Sequence, residues 1–401
     1  MSGLRGEWIR IGSEFLEERE SDFFTPLLRG TLADLGIRLV GKRTVADEEE
    51  ALAAQLRQAL ECSHIVVTTG RMGQEERDLT RKVLAKVTKR RLVLAEIPES
   101  GGRQILVPFG AVPVAGMGGK TPGLLLELDG NWVIALPHPI SVARSSLLRT
   151  LPLLSERRGF LAGSGVLLRT CGLGLRQVFD RIKGIELPPG SQLELLPSAI
   201  GVDLEFFAKS REDRLTGELL LREWLGMDFY GVGGETLEGE VARLLTSAGK
   251  RIALAESCTG GAIAERLTRI PGSSAFFDRA LVTYSNSSKI ELLGTDPDLF
   301  ARHGAVSREV ALAMAEGTRK RSGADIGLSV TGIAGPAGGT DQKPVGLVFI
   351  GLSAPAGLGV WQHYFEGDRE AVRAQGAARA LDYLRRFLLG LDLRRTETEE
   401  G

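Results

Sequence analysis

Residues 251–270 read RIALAESCTGGAIAERLTRI. Residues 251–256 form the apolar run of a short buried strand. Ser257-Cys258-Thr259-Gly260-Gly261 is a turn of small residues, and 262–270 has helix-forming composition closed by Pro271-Gly272. Strand, tight turn and helix in this order commit the chain to a βα unit, whose ligands bind beyond the strand ends. Such a turn directs backbone N–H groups and the positive end of a helix at an anion. It also lifts the Ser257 hydroxyl clear of the strand, as a nucleophile elbow does. A second strand over 280–284 delivers Tyr284-Ser285-Asn286-Ser287-Ser288-Lys289. A serine, a tyrosine and a lysine within two consecutive strand ends point to a Ser/Lys hydrolase.

The remainder of the chain bounds what this unit can belong to. At 401 residues it exceeds what one core usually holds, so two or three domains are expected. A formal net charge of −1 supplies no overall attraction to nucleic acid or to an anionic membrane. The three cysteines, Cys62, Cys171 and Cys258, are far apart and odd in number, which argues against a disulfide framework and a zinc knuckle. No run of about 18 apolar residues is present, so no transmembrane helix is expected. The opening MSGLRGEWIRIGSEF lacks the apolar centre of a signal peptide, and a cytoplasmic protein is the expectation.

Strands at 6–11, 37–44 and 64–69 alternate with helices at 22–36, 48–59 and 75–87. That pattern predicts a first domain over 1–159 with a parallel sheet and helices on both faces. Residues 160–233 predict a small α+β connector, with strands at 166–170, 192–197 and 202–208, a loop at 184–190 and a helix at 212–225. Tyr230-Gly231-Val232-Gly233-Gly234 punctuates its end. No G-x-x-G loop with basic flanks occurs there, so RNA binding is not indicated. A third domain spans 234–392, and 393–401 is a polar tail. The fold class is therefore α/β and multidomain.

The third domain resembles the C-terminal domain of the CinA family, the nicotinamide-nucleotide amidase. The strings that carry the resemblance are Ala255-Glu256-Ser257-Cys258-Thr259-Gly260-Gly261, Pro271-Gly272-Ser273-Ser274, Tyr284-Ser285-Asn286-x-x-Lys289 and His303-Gly304-Ala305-Val306-Ser307. Further on come Val330-Thr331-Gly332-Ile333-Ala334-Gly335-Pro336, Lys343-Pro344-Val345-Gly346 and Gly367-Asp368-Arg369. The first domain resembles the molybdopterin-binding-like, three-layer domain that opens CinA proteins, through Thr68-Thr69-Gly70-x-x-Gly73, Asp78-Leu79-Thr80 and Lys120-Thr121-Pro122-Gly123-Leu124. The segment between them resembles the family's KH-like connector.

The resemblance implies an amidohydrolase that converts nicotinamide mononucleotide to nicotinate mononucleotide and ammonia, returning a NAD breakdown product to NAD synthesis. Ser257 would be the nucleophile and Lys289 its base, because lysine, unlike arginine, can be neutral near physiological pH. Tyr284 would relay the proton or position the lysine. Backbone N–H groups over Cys258, Thr259, Gly260 and Gly261 would hold the oxyanion. Thr331, Gly332 and Gly335 would approach the nucleotide, and Arg369, with Arg373 beside it, would clamp the phosphate. No metal or other cofactor is expected for the amidase. A nucleotide substrate and a homodimer are the expected partners, with no nucleic acid and no membrane.

Plainer readings of the same residues stand beside these. Ser257 could be a helix N-cap, Cys258 an alternative nucleophile, and His303 or His363 half of a Ser–His dyad. In the first domain the resemblance implies a metal-dependent ADP-ribose pyrophosphatase, but the pattern is worn. Ser13 stands where an aspartate is expected, and Arg71, Gln74 and Arg77 where Gly, Pro and Asp are expected. A hard divalent cation needs several oxygen ligands, and Glu14, Asp78 and His138 are the candidates that remain. The alternatives are therefore that pyrophosphatase, or a non-catalytic nucleotide-binding scaffold.

Overall fold

The computed structural model describes residues 4–12, 24–72, 78–115, 121–155 and 163–391. Ser13, Glu14, Gly73, Gln74, Arg77, Lys120 and the polar tail lie outside them. Among the described residues the strands form three main sheets and one two-stranded hairpin.

The first sheet has the order β2-β1-β3-β8-β7-β6. Its strands are β1 (Leu4–Ile11), β2 (Ile37–Val45), β3 (Ile65–Thr69), β6 (Ala111–Val114), β7 (Gly123–Leu128) and β8 (Asn131–Leu136). Successive side chains of a strand face opposite sides. Trp8 thus enters one core with Phe24 and Leu28 of α1 (Phe24–Asp34) and Leu147 of α4 (Ile140–Ser155). Ile9 enters the other core, with Leu52 and Leu56 of α2 (Glu49–Cys62) and Val83 of α3 (Leu79–Val87). Three layers result.

The strand–helix alternation predicts a parallel sheet, but the sheet is mixed. β1, β2, β3 and β8 run parallel, but β7 pairs antiparallel with β8 and with β6. The cause is local: Asp129-Gly130, both at positive φ (40° and 95°), makes a two-residue turn that folds β7 back on β8. The strands β4 (Leu92–Glu96) and β5 (Gln104–Pro108) form the separate hairpin.

The second sheet, β10-β11-β9-β12, is antiparallel throughout. It is built from β9 (Gly165–Thr170), β10 (Gln192–Pro197), β11 (Val202–Phe207) and β12 (Phe229–Val232), with α5 (Leu175–Ile182) and α6 (Arg211–Leu225) packed on it. Two elements here escape the sequence reading. Helix α5 is short and half-exposed, and β12 occupies residues that read as a glycine-rich boundary. Strand β12 takes its place because β9 offers it an open edge. The sheet is tied to its neighbours by ion pairs. Arg29 of α1 reaches Glu205 at 3.2 Å, and Arg386 near the chain's end reaches Asp228 at 2.9 Å.

The third sheet carries the order β14-β13-β15-β16-β17. Its strands are β13 (Ile252–Glu256), β14 (Phe277–Val282), β15 (Ile326–Gly332), β16 (Leu347–Ala354) and β17 (Gly357–Tyr364). Helices α7 (Leu237–Ser247), α8 (Ala262–Thr268) and α12 (Arg369–Leu388) cover one face; α11 (Arg308–Ser322) covers the other. α9 (Asn286–Leu293) and α10 (Pro297–His303) lead into α11. Polar caps set most of these starts: Thr236, Ser285, Ser307 and Asp368 each accept a backbone N–H of the first turn. β13 is parallel to both neighbours, so the chain leaves it to one side for β14 and returns on the other for β15. The crevice at such a reversal lies at the carboxyl end of the strand, which here is Glu256-Ser257.

No helix among the described residues is long and apolar enough to cross a membrane.

Candidate active site

The end of β13 is pinned on both sides. Ser257 N–H donates to the Val330 carbonyl of β15 at 2.9 Å, and Thr283 N–H donates to the Glu256 carbonyl at 2.8 Å. The Ser257 side chain is thereby aimed into a cleft of about 170 Å³ between β13, β15 and the start of α9. Ser257 does not cap a helix: the N-cap of α8 is Gly261, four residues on. Its Oγ lies 3.2 Å from Lys289 Nζ.

Lys289 is 1% exposed. Its amine donates to the carbonyls of Thr283 at 2.7 Å and Tyr284 at 3.4 Å. A neutral amine has two N–H donors and one lone pair. With both donors on carbonyls, the lone pair is left for the Ser257 hydroxyl. Burial without a carboxylate partner pushes the lysine pKa below its ordinary value, with a minor opposing contribution from Cys258. Burial thus shifts Lys289 toward the form that can accept a proton.

Strand β14 stops at Val282, so Tyr284 and Lys289 do not sit at a strand end as the sequence suggests. Tyr284 is in the loop before α9, and Lys289 is within that helix. The Ser285 cap starts the helix, and the helical turn then carries Lys289 back over the loop carbonyls. The Tyr284 phenol is largely exposed and accepts from Arg369 at 2.8 Å. Only its backbone carbonyl meets Lys289.

Of the residues expected to bind substrate, Cys258, Thr331, Gly332 and Arg369 line the cleft with Ser257, Tyr284 and Lys289. Thr331 uses its hydroxyl proton on the Ala305 carbonyl, and Arg369 spans the Gly335 carbonyl at 2.7 Å and Tyr284. Arg373 is turned away from a phosphate role, donating twice to the Thr259 carbonyl. Ala305, Val306 and Ala334 also line the cleft and carry no signal in the sequence beyond lying in the shared strings. They are small apolar residues that a rim of loops brings in.

The turn itself differs from expectation. The N–H groups of Gly261, Ile263 and Ala264 all donate to the buried Glu256 carboxylate, at 2.9, 3.2 and 2.9 Å. Gly260 N–H donates to the Ser257 carbonyl and Ala262 N–H to that of Thr259. Gly260 and Gly261 therefore offer no N–H to an oxyanion. Among the described residues, the N–H groups of Cys258 and Thr259 in this turn have no oxygen acceptor and lie beside the weakly accepting Cys258 sulfur.

The other nucleophile and base candidates are placed elsewhere or made inert. Burial pushes the Cys258 thiol up to about 12, outweighing the N–H groups of Cys258 and Thr259 that favour its anion. His363 is buried against Phe365 and shares a 2.8 Å hydrogen bond with the Tyr383 hydroxyl. His303 faces Glu309 at 3.7 Å. Neither meets Ser257.

Fold and site together define a multidomain α/β protein with a buried serine–lysine pair at the switch point of its last sheet. Residues 234–388 match the model of the CinA C-terminal domain, and 7–156 that of a probable molybdopterin binding domain. The chain is 38% identical over 406 residues to a CinA-like protein of Geobacter metallireducens, covering 95% of this chain and 98% of that one. It is 36% identical over 421 residues to a putative competence-damage inducible protein of Symbiobacterium thermophilum, covering 96% and 99%. A solved structure of the competence/damage inducible protein CihA from Agrobacterium tumefaciens is 42% identical over 37% of this chain and 94% of that one, with a TM-score of 0.36. The chain belongs to the CinA family.

Proposed function

We propose that this chain hydrolyses the carboxamide of nicotinamide mononucleotide to nicotinate mononucleotide and ammonia. The observation that carries the reading is the buried Lys289 amine, depressed in pKa and 3.2 Å from the Ser257 hydroxyl. The nicotinamide nucleotide is the substrate that the family resemblance implies. The cleft is smaller than the roughly 300–1,000 Å³ of a whole ligand site, which suits entry of the amide end alone, with the ribose phosphate outside near Arg369.

Lys289 takes the Ser257 proton as Oγ attacks the amide carbon. The resulting oxyanion is held by the N–H groups of Cys258 and Thr259. As the C–N bond breaks, the lysine ammonium returns its proton to the leaving nitrogen and ammonia departs. Water, deprotonated by the neutral Lys289, then cleaves the acyl-serine ester, and the proton returns to Ser257. Ammonia release from the mononucleotide, measured with and without a chelator, tests the reading: equal release is expected in both.

The first domain gives little support to the metal-dependent alternative. Asp78 caps α3 by accepting Arg81 N–H at 2.8 Å, and its second oxygen is ion-paired with the Arg81 side chain. Arg71 is paired with Asp47. A carboxylate held by a guanidinium must give up that partner to take a metal, and the like charge opposes the cation. His138 is exposed, and Glu14 lies outside the described residues. The full-length protein is accordingly expected to leave ADP-ribose intact in magnesium, manganese or cobalt. AMP release that depends on any of these ions would contradict this.

A further inference from the structure

We infer that Glu256 is a positioning residue that aims the Cys258 and Thr259 N–H groups at the reacting carbonyl. The inference rests on the amidase reading above. Glu256 is fully buried at the end of β13, directly before Ser257, and among the described residues it has no cationic partner. Burying a carboxylate is costly unless it is fully hydrogen-bonded. Glu256 meets that condition with backbone alone, accepting from Gly261, Ile263 and Ala264. A serine or asparagine at the usual N-cap position would start a seven-residue helix such as α8 without burying a charge.

What the carboxylate does, and a neutral cap would not, is fold the whole turn back onto the strand it came from. Gly260 and Gly261, at φ 60° and 94°, make that reversal possible. Three N–H groups at the start of α8 are satisfied in this way. From the other side Arg373 holds the Thr259 carbonyl while Gly260 N–H holds that of Ser257. The peptide between Thr259 and Gly260 is thus tied at both ends. Among the described residues of this turn, only the two peptides just after Ser257 have N–H groups with no oxygen acceptor, beside the Cys258 sulfur, and their planes are set by the ties on either side. Preorganised donors of this kind act on the transition state far more than on the bound substrate.

The test uses full-length E256Q. Glutamine keeps one acceptor oxygen but turns an NH2 toward a backbone N–H. Ammonia release from nicotinamide mononucleotide is expected to fall about 100-fold in kcat, the size of losing one oxyanion donor, with KM within about threefold. The acid limb of the pH profile should be unmoved, because Lys289 is untouched. Hydrogen exchange should rise in residues 257–265 only. An unchanged kcat, or a loss shared with KM and accompanied by exchange throughout the sheet, overturns the inference. If E256Q does not fold, E256D, which keeps the charge but withdraws it by one methylene, must show the same split. If the wild type releases no ammonia, the amidase reading fails by itself. The positioning role is then decided by Ser257 labelling with a fluorophosphonate, followed by intact mass: about 100-fold slower labelling in E256Q supports it, and equal rates refute it.

Discussion

Replacing Ser257 by alanine is expected to lower ammonia release by at least about 10⁴-fold, the scale seen when a hydrolase loses its nucleophile, while the protein stays folded. The structural cost is small because, among the described residues, the hydroxyl has a single polar contact of note, the 3.2 Å approach to Lys289. Losing one such hydrogen bond costs about 1 kcal/mol. The lysine keeps its carbonyl partners at Thr283 and Tyr284. No helix cap is lost, since α8 starts at Gly261. Steady-state ammonia release and a thermal melt, measured on the same preparation, check both halves. Turnover above about one per cent of wild type would remove Ser257 as nucleophile. Cys258 would then have to act despite a thiol pushed up to about 12.

Lys289→Arg and Lys289→Met are expected to be about equally inactive, each down by about 10³-fold or more, since general-base help and nucleophile activation are lost together. Guanidinium cannot give up its proton, and methionine has none to exchange. The pH dependence follows from the direction of the lysine shift. The base must be neutral, so kcat/KM rises with pH through the depressed Lys289 pKa and falls tenfold per unit below it. Stability has the same sign. The folded-state pKa lies below the unfolded one, so between them the unfolded chain binds more protons, and stability increases as pH rises across that window. Lys289→Met should abolish this dependence. It also removes the burden of a buried amine, offsetting the donors lost by the Thr283 and Tyr284 carbonyls. Its melting temperature should stay within about 5 °C of wild type at neutral pH. An arginine variant with near-normal rates would mean that position 289 supplies only positive charge.

The sequence alone carries what is local. Alternating strand and helix patterns, the caps at Thr236, Ser285, Ser307 and Asp368, and the glycine-rich turn after Glu256 all act within a few residues of themselves. They locate the last sheet and its switch point, and they single out Ser257 and Lys289 by chemical type. Asp129-Gly130 was equally local and marks the hairpin that makes the first sheet mixed. What tertiary structure decided is everything that depends on which distant groups share a volume. Ser257 and Lys289 are 32 residues apart and meet only because β14 lies beside β13 and α9 turns back over its end. The lysine pKa is depressed by burial, a property of the assembled cleft rather than of the residue. The turn's N–H groups point to an anion site in the sequence, but in three dimensions the strand's own Glu256 reaches them first. A glutamate one position before the turn needs no long-range order to do this. It needs only the burial that makes every unpaired N–H costly, and that burial exists only once β14, β15 and α12 close around the strand.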